Sequence, residues 1–257
     1  MSVTHKPGVT QQPFRVQSSH EPHPRSDPRI AFFNHHAPTW DRDGEDTAQT
    51  LKRLESLRER LALQPGQDLL ELGCGTGRLT SWLADRVRPG RVIAADFSPE
   101  MLAQARARNS SVEFWLMDIC HEPPGAELFD VVFCFNAFPH FRDKAQALKN
   151  CGVLLKSGGR LLVLHLAGSA HLNHFHAQLA HPVCHDVMPS PQEWPTLLER
   201  TGLQLWSLMD EPALFLLEAV KRNRYATPGS EWCSIQTSLA ASDWAKNSRR
   251  RWRTFNP

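Results

Sequence analysis

Glu71-Leu72-Gly73-Cys74-Gly75-Thr76-Gly77 follows an apolar run over 68–72 and precedes a helical pattern that opens at Arg78. A strand, a tight turn and a helix start are thereby written in succession. Three glycines remove the Cβ atoms that would block positive φ and keep a ligand away from the backbone. The loop reads as a cofactor cradle.

Its spacing separates two cofactor classes. A dinucleotide site uses G-x-G-x-x-G, so that a pyrophosphate rests on the helix N-terminus. Here Gly73, Gly75 and Gly77 are spaced G-x-G-x-G behind an acidic residue, which favours S-adenosylmethionine over NAD. Downstream, 91–95 is a second buried strand ending in Asp96, where a carboxylate is placed to accept hydrogen bonds from two ribose hydroxyls. A third strand over 112–117 ends in Asp118. Two strands that each end in Asp after one glycine loop are far more specific than the loop alone.

The alternation continues with helices over 77–87, 99–108 and 142–154 and strands over 129–135 and 160–166. A helix over 47–63 precedes it, with Leu51, Leu54, Leu57 and Leu61 at helical spacing. Repeated βαβ units imply a parallel sheet with helices on both faces, and ligands of such sheets bind at the carboxyl ends of the strands. After a further helix within 189–202, the stretches 203–209 and 213–220 read as two strands joined by Asp210-Glu211-Pro212.

ELGCGTGRLT, VIAADFSPEML, EFWLMDIC, FDVVFCFNAFPHF and LLKSGGRLLVLHL resemble the successive motifs of class I S-adenosylmethionine-dependent methyltransferases, from about Trp40 to Lys221. The A-x-x-W-D segment ending at Trp40-Asp41 is similar to the entry segment of the quinone-biosynthesis branch and is expected to fold over the cofactor. The resemblance implies an α/β, Rossmann-like, doubly wound, mostly parallel seven-stranded sheet with a terminal antiparallel hairpin. It implies that Glu71, Gly73, Cys74, Gly75 and Gly77 surround the methionine part of S-adenosyl-L-methionine and that Asp96, followed by Phe97, holds the ribose. Met101 then lies against the adenine, Asp118 accepts from its amino group, Ile119 supplies backbone contacts, and Asn136 lies near the methyl group.

The domain expectations are a disordered segment over 1–29, a methyltransferase domain over 30–222, and a basic tail over 223–257 with six Lys/Arg against two acidic residues. At 257 residues and 41% hydrophobic content the chain holds one ordinary core, and the net charge of +2 gives no nucleic-acid footprint. No apolar run reaches the length of a membrane span and no basic-then-apolar leader opens the sequence. Six cysteines without C-x-x-C spacing read as reduced thiols, and a cytoplasmic location follows as the default expectation.

Methyl transfer from a sulfonium is an in-line displacement, and a weakly acidic alcohol acceptor needs a base where a thiol, phenol, carboxylate or metalloid needs one much less. His165, His171, His174, His176, His181 and His185 fall within 21 residues after the last parallel strand. His165, His176 and His185 are the expected catalytic residues, the last because it neighbours Asp186, with His140 held in reserve. Imidazoles and Cys184 also suit a metal, but no standard ligand spacing occurs and no metal is assigned. Phe135, Phe138 and Phe141 suit a compact acceptor, and Phe135 to His140 lacks the D/N-P-P-Y/F pattern of nucleobase amine methylation. The expected function is methyl transfer to a small molecule through sulfur, oxygen or a metalloid, with no nucleic-acid or membrane partner. The alternative is a non-catalytic S-adenosylmethionine-binding module or partner subunit. The sequence leaves oligomeric state open.

Overall fold

The computed structural model of the protein describes residues 27–43, 46–121 and 129–222. Four short helices lead in: α1 (Pro28–His36), α2 (Trp40–Asp43), α3 (Thr47–Ser56) and α4 (Arg58–Leu61). The sheet and its crossovers follow as β1 (Leu69–Leu72), α5 (Thr80–Val87), β2 (Val92–Asp96), α6 (Pro99–Arg108), β3 (Glu113–Leu116), β4 (Phe129–Phe135), α7 (Lys144–Leu154) and β5 (Leu155–His165). Then come α8 (Ser169–His176), α9 (Trp194–Glu199), β6 (Leu203–Glu211) and β7 (Leu214–Lys221).

The seven strands lie in the order β3-β2-β1-β4-β5-β7-β6. The first five pair in parallel, whereas β7 runs antiparallel between β5 and β6. This is the doubly wound sheet with its terminal hairpin.

Side chains alternate along each strand, and two cores result. Leu70, Leu72, Ile93, Ala95, Val132, Cys134, Leu161, Val163 and Phe215 share one face with Leu148 of α7 and Trp194 of α9. Leu69, Val92, Val131, Phe133, Leu162, Leu164 and Leu216 share the other with Leu54 of α3 and Leu83 and Val87 of α5. Because β1, β2 and β4 are largely buried on both faces, they read in sequence as near-continuous apolar runs, interrupted only by Glu71, Asp96 and Asp130.

Helix starts follow from capping. The Asp27 carboxylate accepts from Arg29 N at 3.0 Å with Pro28 in the first turn, and the Ser98 hydroxyl accepts from Met101 N at 3.1 Å behind Pro99. Asp27 to Arg29, which the sequence reading assigns to the segment 1–29, thus form the start of α1. The expected helix over 47–63 is two, parted at Leu57, and the chain leaves the second through Ala62 at φ +46°. The helix after the glycine loop starts at Thr80 rather than at Gly77, because Gly77 sits at φ +75°, outside helical space. The segments 1–26 and 223–257, with Cys233, lie outside the described residues.

Cys74, Cys120, Cys134 and Cys151 are free and buried, and Cys184 is free and partly exposed. No helix among the described residues is long and apolar enough to cross a membrane.

One glycine gives a test of this packing. Within α7, a Cβ at Gly152 would stand 2.4 Å from the Thr201 carbonyl oxygen, where α7 passes the loop before β6. Helix propensity favours Gly→Ala by about 1 kcal/mol, while forcing a methyl against fixed backbone costs about 1–3 kcal/mol. Gly152→Ala is expected to lower the urea midpoint of the full chain with an unchanged slope; a raised midpoint would disprove the close approach.

Candidate functional site

The carboxyl ends of β1, β2 and β4 meet at one crevice, and the loops after them line a cavity of ≈ 1100 Å³ including its open mouth. The glycine loop forms its floor. Gly73 N and Cys74 N both donate to the Ala95 carbonyl, at 2.8 and 3.0 Å, which stitches the loop to the end of β2. Gly75 N donates to the Asp96 carboxylate at 2.8 Å, and Ser98 N donates to its other oxygen at 2.9 Å. Gly75 lies at φ +54° with open space where a Cβ would point, so its backbone stays free for a ligand to approach. Behind the loop, Asn109 donates to Gly77 O at 2.9 Å.

Two buried carboxyls face this cavity. Burial raises Glu71 to about 8 against the opposing hydrogen bond from the Thr80 hydroxyl, which donates to it at 2.7 Å. Burial likewise raises Asp96 to about 6, the Ser98 and Gly75 N–H donors limiting the rise. The Asp96 carboxylate keeps acceptor capacity beyond the backbone bonds it receives.

Of the residues expected at the cofactor, Glu71, Gly73, Cys74, Gly75, Asp96, Phe97, Met101, Asp118, Ile119 and Asn136 all line the cavity. Gly77 does not. A Cβ there would stand 2.7 Å from the Asn109 amide and 3.0 Å from Ala105 Cβ, so this glycine serves the packing of α6 against the loop. Asp118 accepts from Cys120 N at 2.8 Å and pairs with His121 at 3.0 Å and Arg142 at 3.5 Å. Asn136 turns the chain at the end of β4 with φ +50°, and the next residue, Ala137, occupies the space that a Cβ on Gly73 would need.

A cap from the N-terminal helices covers part of the site. Phe33 and Trp40 line the cavity, and Phe33 packs edge-on against Phe97 at 5.6 Å. Asp41 ties the cap to the floor: Thr76 Oγ1 donates to it at 2.5 Å, Arg78 approaches at 3.7 Å, and Arg108 pairs with its second oxygen. The A-x-x-W-D segment signalled this placement, but nothing in the sequence connected Asp41 with Thr76, Arg78 or Arg108.

The histidines are distributed differently from expectation. None of His165, His176 and His185, the expected catalytic residues, lines the cavity. His165 ends β5 on the face that carries Phe215; burial, and then the neighbouring imidazoles of His140 and His176, lower it to about 3. His176 is also buried and lowered, again by burial first and His140 second. His165 Nε2 and His176 Nδ1 have no hydrogen-bond partner among the described residues. His185 is exposed in the short 3-10 turn Val183–His185.

His140, the reserve, lines the cavity. Its Nδ1 lies 2.7 Å from the carboxylate of Asp186, which is buried, while the sequence neighbour His185 points elsewhere. Arg29 of α1 donates through Nε at 2.8 Å to the other Asp186 oxygen. Burial alone would raise the Asp186 carboxyl, but the bonds from His140 and Arg29 hold it below the usual carboxylate value. Among the described residues no group of three or more His, Cys, Asp or Glu side chains converges as a metal site would require.

Residues 69–159 match the family model described as a methyltransferase domain. Methyltransferase GfsG of Streptomyces halstedii is 30% identical over 166 residues, which cover 61% of this chain and 59% of that protein. The ubiquinone biosynthesis O-methyltransferase of Xanthomonas campestris pv. campestris (strain B100) is 36% identical over 135 residues, covering 48% of this chain and 54% of that one. The chain thus spans little more than half the length of these curated relatives. Among solved structures, the N-methyltransferase NodS from Bradyrhizobium japonicum WM9, in complex with S-adenosyl-l-homocysteine, superposes with a TM-score of 0.58 at 18% identity. That match covers 77% of this chain and all of NodS, and it shows the shared fold. Glycine cradle, ordered aspartates and strand order converge with the family match, which is to a methyltransferase domain over 69–159.

Proposed function

We propose that the protein transfers a methyl group from S-adenosylmethionine to a small-molecule acceptor held beside Asn136, His140 and Phe141. One observation carries the reading. A single cavity joins the glycine floor and the two buried carboxyls to the turn after β4, so a nucleoside end and an acceptor end are continuous.

The residues present fit that cofactor. Gly75 leaves open backbone where a side chain would intrude, and Asp96 offers acceptor capacity at the end of β2, suited to hydroxyl donors of a ribose. Met101, Phe97 and Ile119 supply apolar surface beside Asp118, which suits a purine. When bound, the cofactor supplies an electrophilic methyl carbon on a positively charged sulfur. The chain's own part is to hold the acceptor in line with it and to keep bulk water away. Phe33, Trp40, Phe135 and Phe141 wall the cavity for that purpose. The acceptor's compact size is supported by these aromatic walls and by the small-molecule pathway in the name of the Xanthomonas relative.

Two measurements test the reading. Calorimetry with S-adenosylhomocysteine is expected to show one site per chain, weakened by about 1–3 kcal/mol in Asp96→Ala through lost hydrogen bonds. Unchanged affinity would remove Asp96 from the site, and no binding to the unaltered protein would end the proposal.

The same carboxyl predicts a pH dependence. Ribose hydroxyls donate to the ionised form, and Asp96 in the free protein ionises at about 6. Affinity is therefore expected to be level above that pH and to fall below it by up to about tenfold per unit. Asp96→Asn is expected to remove most of this dependence, and a wild-type affinity flat through the acid range would argue against the assignment.

A further inference from the structure

None of the expected catalytic histidines lines the cavity, so the proton acceptor of the reaction has to be sought among residues that face it. His140 is the one imidazole on the cavity among the described residues. It sits in the 3-10 turn Phe138–His140, closed by His140 N donating to Ala137 O at 3.0 Å. Lys144 braces that turn, its Nζ donating to Pro139 O at 3.0 Å and Phe141 O at 3.1 Å. The ring is held on three sides: Phe33 edge-on at 5.1 Å, His176 edge-on at 5.1 Å, and the Asp186 carboxylate at Nδ1. With Nδ1 bound to a carboxylate, the proton of the neutral ring is drawn to Nδ1, and Nε2 is left as the basic nitrogen.

We propose that His140 is the general base for a hydroxyl acceptor, positioned by Asp186, which Arg29 of the first helix holds in place. This rests on the methyl-transfer reading above. In the step, the acceptor oxygen forms a bond to the methyl carbon and the carbon–sulfur bond breaks with its electron pair going to sulfur. The O–H proton passes to His140 Nε2, so an alkyl or aryl methyl ether and S-adenosylhomocysteine are formed and the imidazolium later releases its proton to solvent.

The substrate class follows from what such a pair is for. A thiol ionises near 8.5 and so gains little from a carboxylate-backed imidazole. An aliphatic hydroxyl ionises far above the imidazole and its attack depends on proton removal, while a phenol, ionising at about 10, depends on it less. The charged and titratable groups around the imidazole agree with this role. Asp186 is the negative partner at contact; Asp96 lies within electrostatic reach across the cavity; Arg29 and Lys144 bear on Asp186; His165 and His176 flank the ring and are kept neutral by burial. An imidazolium on His140 therefore meets a buried carboxylate and no other imidazolium.

Arg29 adds a condition. It belongs to α1, the same helix that places Phe33 over the cavity, so docking of the cap and alignment of the base are one event. Arg29 and Asp186 are positioning residues, and His140 is the catalytic one.

The experiment uses the full chain with S-adenosylmethionine and a matched acceptor panel of 4-methylcatechol, benzyl alcohol, benzyl mercaptan and benzylamine, read as S-adenosylhomocysteine release over a pH series. Turnover is expected with the hydroxyl compounds. His140→Asn should lower kcat by about 100-fold or more. Asp186→Asn should lower kcat with the KM for the acceptor little changed, since the imidazole loses the group that fixes its tautomer and orientation. Arg29→Met should behave like a milder Asp186→Asn, with Arg29→Lys recovering part of the loss.

A second readout needs no turnover. In protein labelled with ¹⁵N in its histidine rings, His140 is expected as the Nδ1–H tautomer in the wild type and to lose that preference in Asp186→Asn. Binding of S-adenosylhomocysteine within about threefold of wild type shows that each variant has folded.

The proposal is overturned by His140→Asn retaining wild-type kcat, by an unchanged kcat in Asp186→Asn, or by an Nε2–H tautomer. Turnover confined to the mercaptan or amine overturns it as well, as does silence of the whole panel with cofactor bound, and both leave cofactor binding intact. Loss of S-adenosylhomocysteine binding by the unaltered chain defeats the earlier reading instead.

Discussion

The bond between Gly75 N and the Asp96 carboxylate is the constraint on which the site depends. It joins the turn after β1 to the end of β2 across the crevice where ligands of doubly wound sheets bind. The carboxylate is buried, and a buried charge without donors is expensive; two backbone N–H groups meet that need and hold the loop at the same time. Gly73 carries the neighbouring constraint, because Ala137 fills the space its Cβ would take and so brings the turn after β4 against the floor. Cofactor side and acceptor side are therefore in register through contacts of a few ångströms, without any long loop to position them.

A second buried carboxylate organises the opposite wall. Asp186 arrives from the segment after α8, accepts from Arg29 at the N-terminal end, and meets His140 from the turn after β4. Three pieces of chain remote in sequence, at positions 29, 140 and 186, converge on one carboxyl group. Removing Asp186 would leave the Arg29 guanidinium without its main partner, and removing Arg29 would leave the buried carboxylate without its strongest donor, which is why such a cluster tends to act as a unit. Asp41 does similar work nearer the surface, where it gathers Thr76, Arg78 and Arg108 onto the cap. The cap is thus held by charge at two points and by aromatic packing between them.

Legibility followed the range of the interactions. The strands, the glycine turn and the aspartates at strand ends were readable because each rests on local rules: apolar runs for strands buried on both faces, glycine where φ is positive, Asp or Ser at helix starts. Ten of the eleven residues expected at the cofactor line the cavity, and Gly77 departs because a glycine can be required by packing as well as by a ligand. The orientation of the clustered histidines was not legible for a related reason. Density of imidazoles along the chain carries no information about which face of the sheet or which side of a short turn each one takes. His165 falls on an inward position of β5, and His185 on the outer side of its turn, although its sequence neighbour Asp186 is buried.

The amino-acid sequence by itself determined the sheet class, the place of the cradle and the kind of cofactor, since periodicity and turn chemistry act over a few residues and repeat in every crossover. Only the tertiary structure decided which imidazole faces the cavity and which carboxylate stands behind it. Pairings such as His140 with Asp186 and Arg29 with Asp186 span 46 and 157 residues and are selected by desolvation: inside an apolar wall a charged group is stable only beside its complement. No spacing rule records that choice, because it is made by the packing of the whole domain.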